Sequence, residues 1–272
     1  NELTAFTVLN DDSLLVAEGG NLLGDRSCVR IHRSVDRGET WVQAGMIPAE
    51  PFEQIGEGCL SLTQLKDGTI LFPVCRWNKV PEGTPNLFAQ YVYRSTDDGR
   101  TWQGGGELKK GNIAPVGNGP ASRWPGMGGT FPGCVETHIV ELSDGKLLAV
   151  FRYSGDPQPW HRDKVKEWGG STEPDAIGRF FKHGFLGDSS DGGRTWKNLR
   201  PLFDAEGTAL LVIGECHGQL VELADGRVVL VHDRRYPYTQ SETIGRVSGD
   251  GGKTWSRNVY HLSEGTGYAA SV

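Results

Sequence analysis

The chain has no apolar run long enough to span a bilayer and no visible signal-peptide pattern at Asn1, so no membrane span is expected. It has no excess of positive charge. Its formal net charge of -6 excludes a general nucleic-acid or anionic-membrane surface, although local arginine clusters remain open. It also lacks CxxC pairs and zinc-ligand spacing: its 5 cysteines (Cys28, Cys59, Cys75, Cys134, Cys216) are an odd number beside apolar, strand-like residues. Buried reduced thiols are therefore expected, with one disulfide as the alternative. No metal and no cofactor is expected.

What the chain does have is glycine (39), tryptophan (8) and a repeat. The pattern Ser-x-Asp-x-Gly-x-Thr-Trp occurs at Ser34–Trp41, Ser95–Trp102, Ser189–Trp196 and Ser248–Trp255. Asp and Ser side chains cap backbone N–H groups of a turn, Gly takes a positive φ, and Thr-Trp opens the next strand, so each copy reads as a hairpin brace. Four equivalent tryptophans, each able to bury roughly 150–250 Å2, are expected to fill the gaps between neighbouring units. A second pattern precedes each brace: an apolar strand, an Asp-Gly turn and another apolar strand, at Leu62–Val74, Ile139–Phe151 and Leu220–Val231, with a degenerate copy at Phe6–Val16.

Four antiparallel strands repeated four times predict an all-β fold, a β-propeller of four-stranded blades covering about 3–44, 58–104, 134–198 and 216–258. A single propeller domain over 1–272 is expected to continue beyond one or both ends, because Gly265–Val272 reads as the first strand of a fifth blade. The Gly- and Pro-rich stretches 118–133 and 153–179 are expected to be loops without regular strand. Their Trp124, Phe131, Trp160 and Trp168 either contact the apolar faces of sugars or anchor the loops.

Inner strands of a propeller face one channel, so equivalent positions can be compared. Eight residues before the turn Asp stand Cys59, Glu136 and His217; eight after it stand Cys75, Arg152 and Asp233. His138, His217 and His232 all fall near that channel and could act as bases or bind substrate.

The braces resemble the Asp-box (BNR) repeats of the sialidase superfamily. The segment from Glu136 to Arg152 is similar to the sialidase segment carrying a catalytic Glu and one arginine of the carboxylate-gripping triad, including their separation of 16 positions. That resemblance implies a six-bladed propeller and an exo-acting glycoside hydrolase for sialic-acid-type or other anionic glycans. It implies Tyr268 as nucleophile, Glu136 as the base that activates it and Asp25 as acid/base, an exception to the usual carboxylate pair. A tyrosine near its ordinary pKa of about 10 is a poor nucleophile and needs such a carboxylate.

Arg152 would anchor the substrate anion, with Arg234 or Arg235 as second arginine ahead of Arg246, since Arg33 and Arg94 hold places like that of Arg246 before other braces. His217, His138, Trp124 and Trp160 complete the expected substrate-binding set. The family's first arginine falls near position 2, where this chain has Glu2. The partner implied is a glycan, and the resemblance implies a secreted or periplasmic protein. Two other readings stay open: a polysaccharide lyase on the same fold, using His or Tyr as base, and a non-catalytic propeller that binds glycans or proteins.

Overall fold

The computed structural model describes residues 3–19, 27–50, 53–56, 61–77, 88–104, 130–132, 134–154, 182–210, 216–234 and 242–264. Among them there is no helix; the architecture is all-β, four antiparallel blades of a β-propeller. Blade one is β1 (Leu3–Val8), β2 (Leu14–Glu18), β3 (Cys28–Ser34) and β4 (Val42–Pro48), paired in chain order. Blade two comprises β5 (Gln54–Gly56), β6 (Thr63–Gln64), β7 (Ile70–Trp77), β8 (Phe88–Ser95), β9 (Gln103–Gly104) and β10 (Thr130–Pro132). Blade three is β11 (Cys134–Glu141), β12 (Leu147–Ser154), β13 (Lys182–Ser189) and β14 (Lys197–Pro201). Blade four is β15 (Cys216–Glu222), β16 (Val228–Arg234), β17 (Glu242–Ser248) and β18 (Tyr260–Glu264).

Blade two corrects one expectation. Thr130–Pro132, inside the stretch expected to lack strand, pairs with Ala89–Tyr91 and stands at the sheet edge. There, Pro132 interrupts no central ladder. The inner position is also divided, with β5 and β6 pairing opposite ends of β7.

The Asp-Gly turns form as their chemistry requires. The turn carboxylate accepts from the backbone two residues on, as in Thr69 N to Asp67 at 2.9 Å and Lys146 N to Asp144 at 3.0 Å, while Gly68 and Gly145 take φ of +86° and +83°. Blade one reaches the same geometry without glycine: Asp12 adopts φ +63° and Ser13 N donates to Asp11 at 3.1 Å.

The braces repeat almost atom for atom. In the second, Gly99 N donates to Ser95 Oγ (2.9 Å), Thr101 N and Oγ1 donate to the two Asp97 oxygens (2.8 and 2.6 Å), and Trp102 Nε1 donates to Gly99 O (2.8 Å). In the first, hydrogen bonds from Ser34 and then Thr40 hold the Asp36 carboxyl down to about 2.

The structure adds that the second, third and fourth braces each rest on the blade before them. A Cβ at Gly99 would lie 3.2 Å from Leu15, one at Gly193 3.0 Å from Leu71 and one at Gly252 2.5 Å from Leu148, so a side chain there would press on the leucine of the preceding blade, besides straining a positive φ. Trp196 packs with Leu65, Leu71 and Val92 of blade two, and Trp255 with Leu142 and Leu148 of blade three. The expectation that all four tryptophans fill gaps fails at Trp41, which is 40% exposed. No blade precedes it among the described residues. The outward face of blade four shows the same effect: Leu223 is 36% exposed, whereas Leu142, its counterpart two residues before the turn Asp, is 6% exposed beneath blade four.

Cys28 and Cys75 are buried thiols, as expected on apolar faces.

Candidate functional site

Glu136 lies at one end of β11, and a β-bulge there places Glu136 and Thr137 opposite the single residue Phe151. Glu136 is buried and left-handed, with φ +55°. That conformation costs a residue with a Cβ about 1–3 kcal/mol and persists only where the surroundings fix it. Its Oε1 accepts from Arg152 Nη1 at 2.9 Å, both side chains being largely withdrawn from solvent. Arg152 is at the far end of the neighbouring β12, so the sheet register itself makes the pair: Val135 stands across from Arg152. Arg152 Nε, also buried, has no hydrogen-bond acceptor among the described residues.

The pair occupies the blade end away from the Asp144–Gly145 turn and the brace. Strand ends flanking the segments with Asp25 (Glu18, Cys28), Trp160 (Ser154, Lys182) and Arg235 (Arg234, Glu242) all belong to this end, as the register shows. The last described residue before Tyr268, Glu264, pairs with Glu242 there as well. These described strand ends share the blade end that holds Glu136. Asp25, Tyr268, Arg235, Trp124 and Trp160 themselves lie outside the described residues.

Blade four repeats the bulge: His217 and Gly218 stand opposite His232, and Cys216 stands across from Asp233. His217 thus holds Glu136's place and Asp233 that of Arg152, as the counting expected. Asp233 is fully buried; His232, also buried, has its Nδ1 3.2 Å from the Asp233 carbonyl. Arg234 is placed by its backbone on β16, opposite Glu242.

His138, expected among the substrate-binding residues, sits at the contact between blades three and four. Its Nδ1 accepts the Leu220 backbone N–H at 3.2 Å, tying blade three to blade four. Desolvation lowers its pKa from 6.5 to about 4, although part of the residue's surface is exposed, so the ring is neutral near pH 7 and its Nδ1 can accept. Arg246 is also accounted for: its Nη1 donates to the Ser256 and Arg257 carbonyls at 3.2 and 3.3 Å, a brace contact rather than an anion anchor.

Sequence counting missed the buried contacts beneath Glu136. Thr137 Oγ1 donates to Gln90 Oε1, and Ser61 Oγ donates to Thr137 O at 3.3 Å, all three residues being buried. Nothing in the local sequence marks Gln90, which reaches Thr137 across the interface between blades two and three. Among the described residues no group of three or more His, Cys, Asp or Glu gathers to hold a metal ion, and no helix is long and apolar enough to cross a membrane.

No protein-family model matches the chain, and no curated protein matches it by sequence. Solved structures do. An α-L-arabinofuranosidase from Fusarium graminearum aligns at TM-score 0.60 and 16% identity, covering 95% of this chain and 65% of its own. An α-L-arabinanase from Penicillium chrysogenum gives 0.59 and 16%, with the same coverages. A Hadza microbial sialidase gives 0.59 and 17%, covering 94% of this chain and 46% of its own. The chain thus spans about two thirds of the first two structures and less than half of the third. These likenesses establish the propeller fold, shared by glycosidases of more than one kind.

Proposed function

We propose that this chain carries the carboxylate-bearing half of a glycoside hydrolase active site, of the exo-acting, sialidase-like type. The observation that carries the reading is the buried Glu136–Arg152 ion pair, with Glu136 held in a left-handed conformation. In this proposal Glu136 takes the proton of the Tyr268 hydroxyl as the phenolate oxygen attacks the anomeric carbon. Asp25 protonates the departing glycosidic oxygen, then deprotonates the water that releases the sugar. Arg152 holds the Glu136 carboxylate through its Nη1 and, through its second nitrogen face, contacts the substrate.

A neutral-sugar reading is favoured by a specific charge arrangement. Arg246 is engaged by backbone carbonyls, and Asp233, a carboxylate, stands where an arginine would help to hold an anion. The Arg152 guanidinium is already paired with Glu136, so a furanoside without a carboxylate belongs in the test beside a sialoside.

The test is aryl-glycoside turnover by the wild-type chain with an aryl sialoside and an aryl arabinofuranoside. Release of the aryl group is expected, together with loss of about 100-fold or more in Tyr268→Phe and Glu136→Gln, both folded. Wild-type turnover unchanged in both variants would sink the assignment. Reversible glycan binding with no turnover would identify a binding propeller, and an ultraviolet-absorbing unsaturated uronate product would identify a lyase.

A further inference from the structure

Glu136 is held in a conformation its own residue type resists, and the residue that follows it is fastened by another blade. Thr137 follows it directly. The Thr137 carbonyl accepts from Ser61 Oγ at 3.3 Å and its hydroxyl donates to Gln90 Oε1; Ser61, Thr137 and Gln90 are all buried. One residue of β11 is thus fixed through both its backbone and its side chain by blade two. Two positions on, Thr63 Oγ1 donates to Ile139 O at 2.9 Å, continuing the same seam.

Side-chain alternation defines the consequence. Ile139 packs with Leu65 and Leu71 toward blade two, while Val140 and Leu142 pack with Leu220 and Leu230 toward blade four. Thr137 faces blade two like Ile139, and the extra residue of the bulge lets Glu136 meet Arg152 instead of following the regular pleat. Releasing Thr137 would let residue 136 relax to an extended φ, and a rotation about that bond carries the carboxylate away from Arg152.

We propose that Thr137 and Gln90 are positioning residues, a clamp from blade two that keeps Glu136 left-handed and its carboxylate aimed at the reacting group. The catalytic part of this inference rests on the reading of Glu136 as the reacting carboxylate; the conformational part does not. The clamp acts on the geometry of one side chain, so its loss lowers turnover while leaving substrate capture at the loops intact.

The variants are Thr137→Val, which keeps the β-branched shape and removes the hydroxyl, Thr137→Ser, which retains it, and Thr137→Val with Gln90→Met, which removes both partners. Two readouts are taken on folded protein: the backbone 13Cα and 13Cβ shifts of Glu136, which separate left-handed from extended, and kcat and KM with whichever aryl glycoside the wild type cleaves. In Thr137→Val the expected result is a move of the Glu136 shifts to extended values, a fall in kcat of about 10–100-fold with KM within about twofold, and recovery of both in Thr137→Ser. Glu136 shifts unchanged in Thr137→Val and in the double variant overturn the clamp. Shifts that move while kcat does not overturn the positioning role. If the wild type cleaves neither glycoside, the reading of Glu136 as reacting carboxylate has failed separately, and the shifts alone decide the clamp.

Discussion

Trp196 and Trp41 hold the same place in two copies of one motif but differ in exposure, 1% against 40%. Replacing each with alanine therefore measures what the neighbouring blade contributes. On about 200 Å2 of tryptophan side chain, a difference of 39 percentage points is about 80 Å2, or about 2 kcal/mol at about 25 cal/mol per Å2. A Trp196→Ala cavity is enclosed by Leu65, Leu71, Val92 and Phe185, which cannot fully collapse, so its total cost is expected at about 3–5 kcal/mol. Trp41→Ala leaves a dent open to water and is expected to cost at least about 2 kcal/mol less. Urea unfolding, with midpoint and slope fitted together, reads the difference directly. In thermal unfolding the gap corresponds to roughly 4–8 °C, at about 2–4 °C per kcal/mol for a chain near this size. Equal losses from the two variants would refute the argument that the braces act between blades; they would then be purely local turns.

Arg152→Met leaves the buried Glu136 carboxylate without its cation and is expected to lower stability by about 3 kcal/mol, with part of the loss recovered in Arg152→Met/Glu136→Gln; strict additivity in the double-mutant cycle would refute the coupling. His138 has a pKa lowered from 6.5 to about 4, so the folded state binds fewer protons than the unfolded chain between those values. Its contribution, about 2–3 kcal/mol, is fully present above pH 6.5 and is lost as pH falls toward 4. Urea midpoints at pH 7 and pH 4.5 should therefore separate more in the wild type than in His138→Asn. A Cβ at Gly45 would lie 2.2 Å from Gly99 O, whereas one at Gly68, φ +86°, meets nothing within 4 Å. Gly45→Ala is expected to cost more than Gly68→Ala, which bears only the roughly 1–2 kcal/mol of a left-handed alanine; the reverse order in denaturant midpoints would contradict this blade contact.

The repeating elements were legible because their causes are local. Asp67, Gly68 and Thr69 close their turn with their own atoms, and Ser95 to Trp102 complete a brace with bonds reaching no more than four residues. Counting from such turns also placed Glu136 level with Arg152, because antiparallel register follows from turn position and strand length. Counting was less informative where a side chain's partner comes from another blade. His138 falls near the channel by position, yet its ring is committed to Leu220 N.

Sequence alone determined the strand–turn period, the propeller class and the level of Glu136 and Arg152, since each depends on φ preferences and hydrogen bonds within a few residues or across one hairpin. Tertiary structure alone decided that the last three braces rest on the preceding blade, that Trp41 stays exposed, and that Gln90 and Ser61 fasten Thr137 beneath a left-handed Glu136. Those outcomes depend on which faces of successive blades meet. That meeting joins residues 47 and 76 positions apart, Gln90 and Ser61 with Thr137, and no local pattern encodes it.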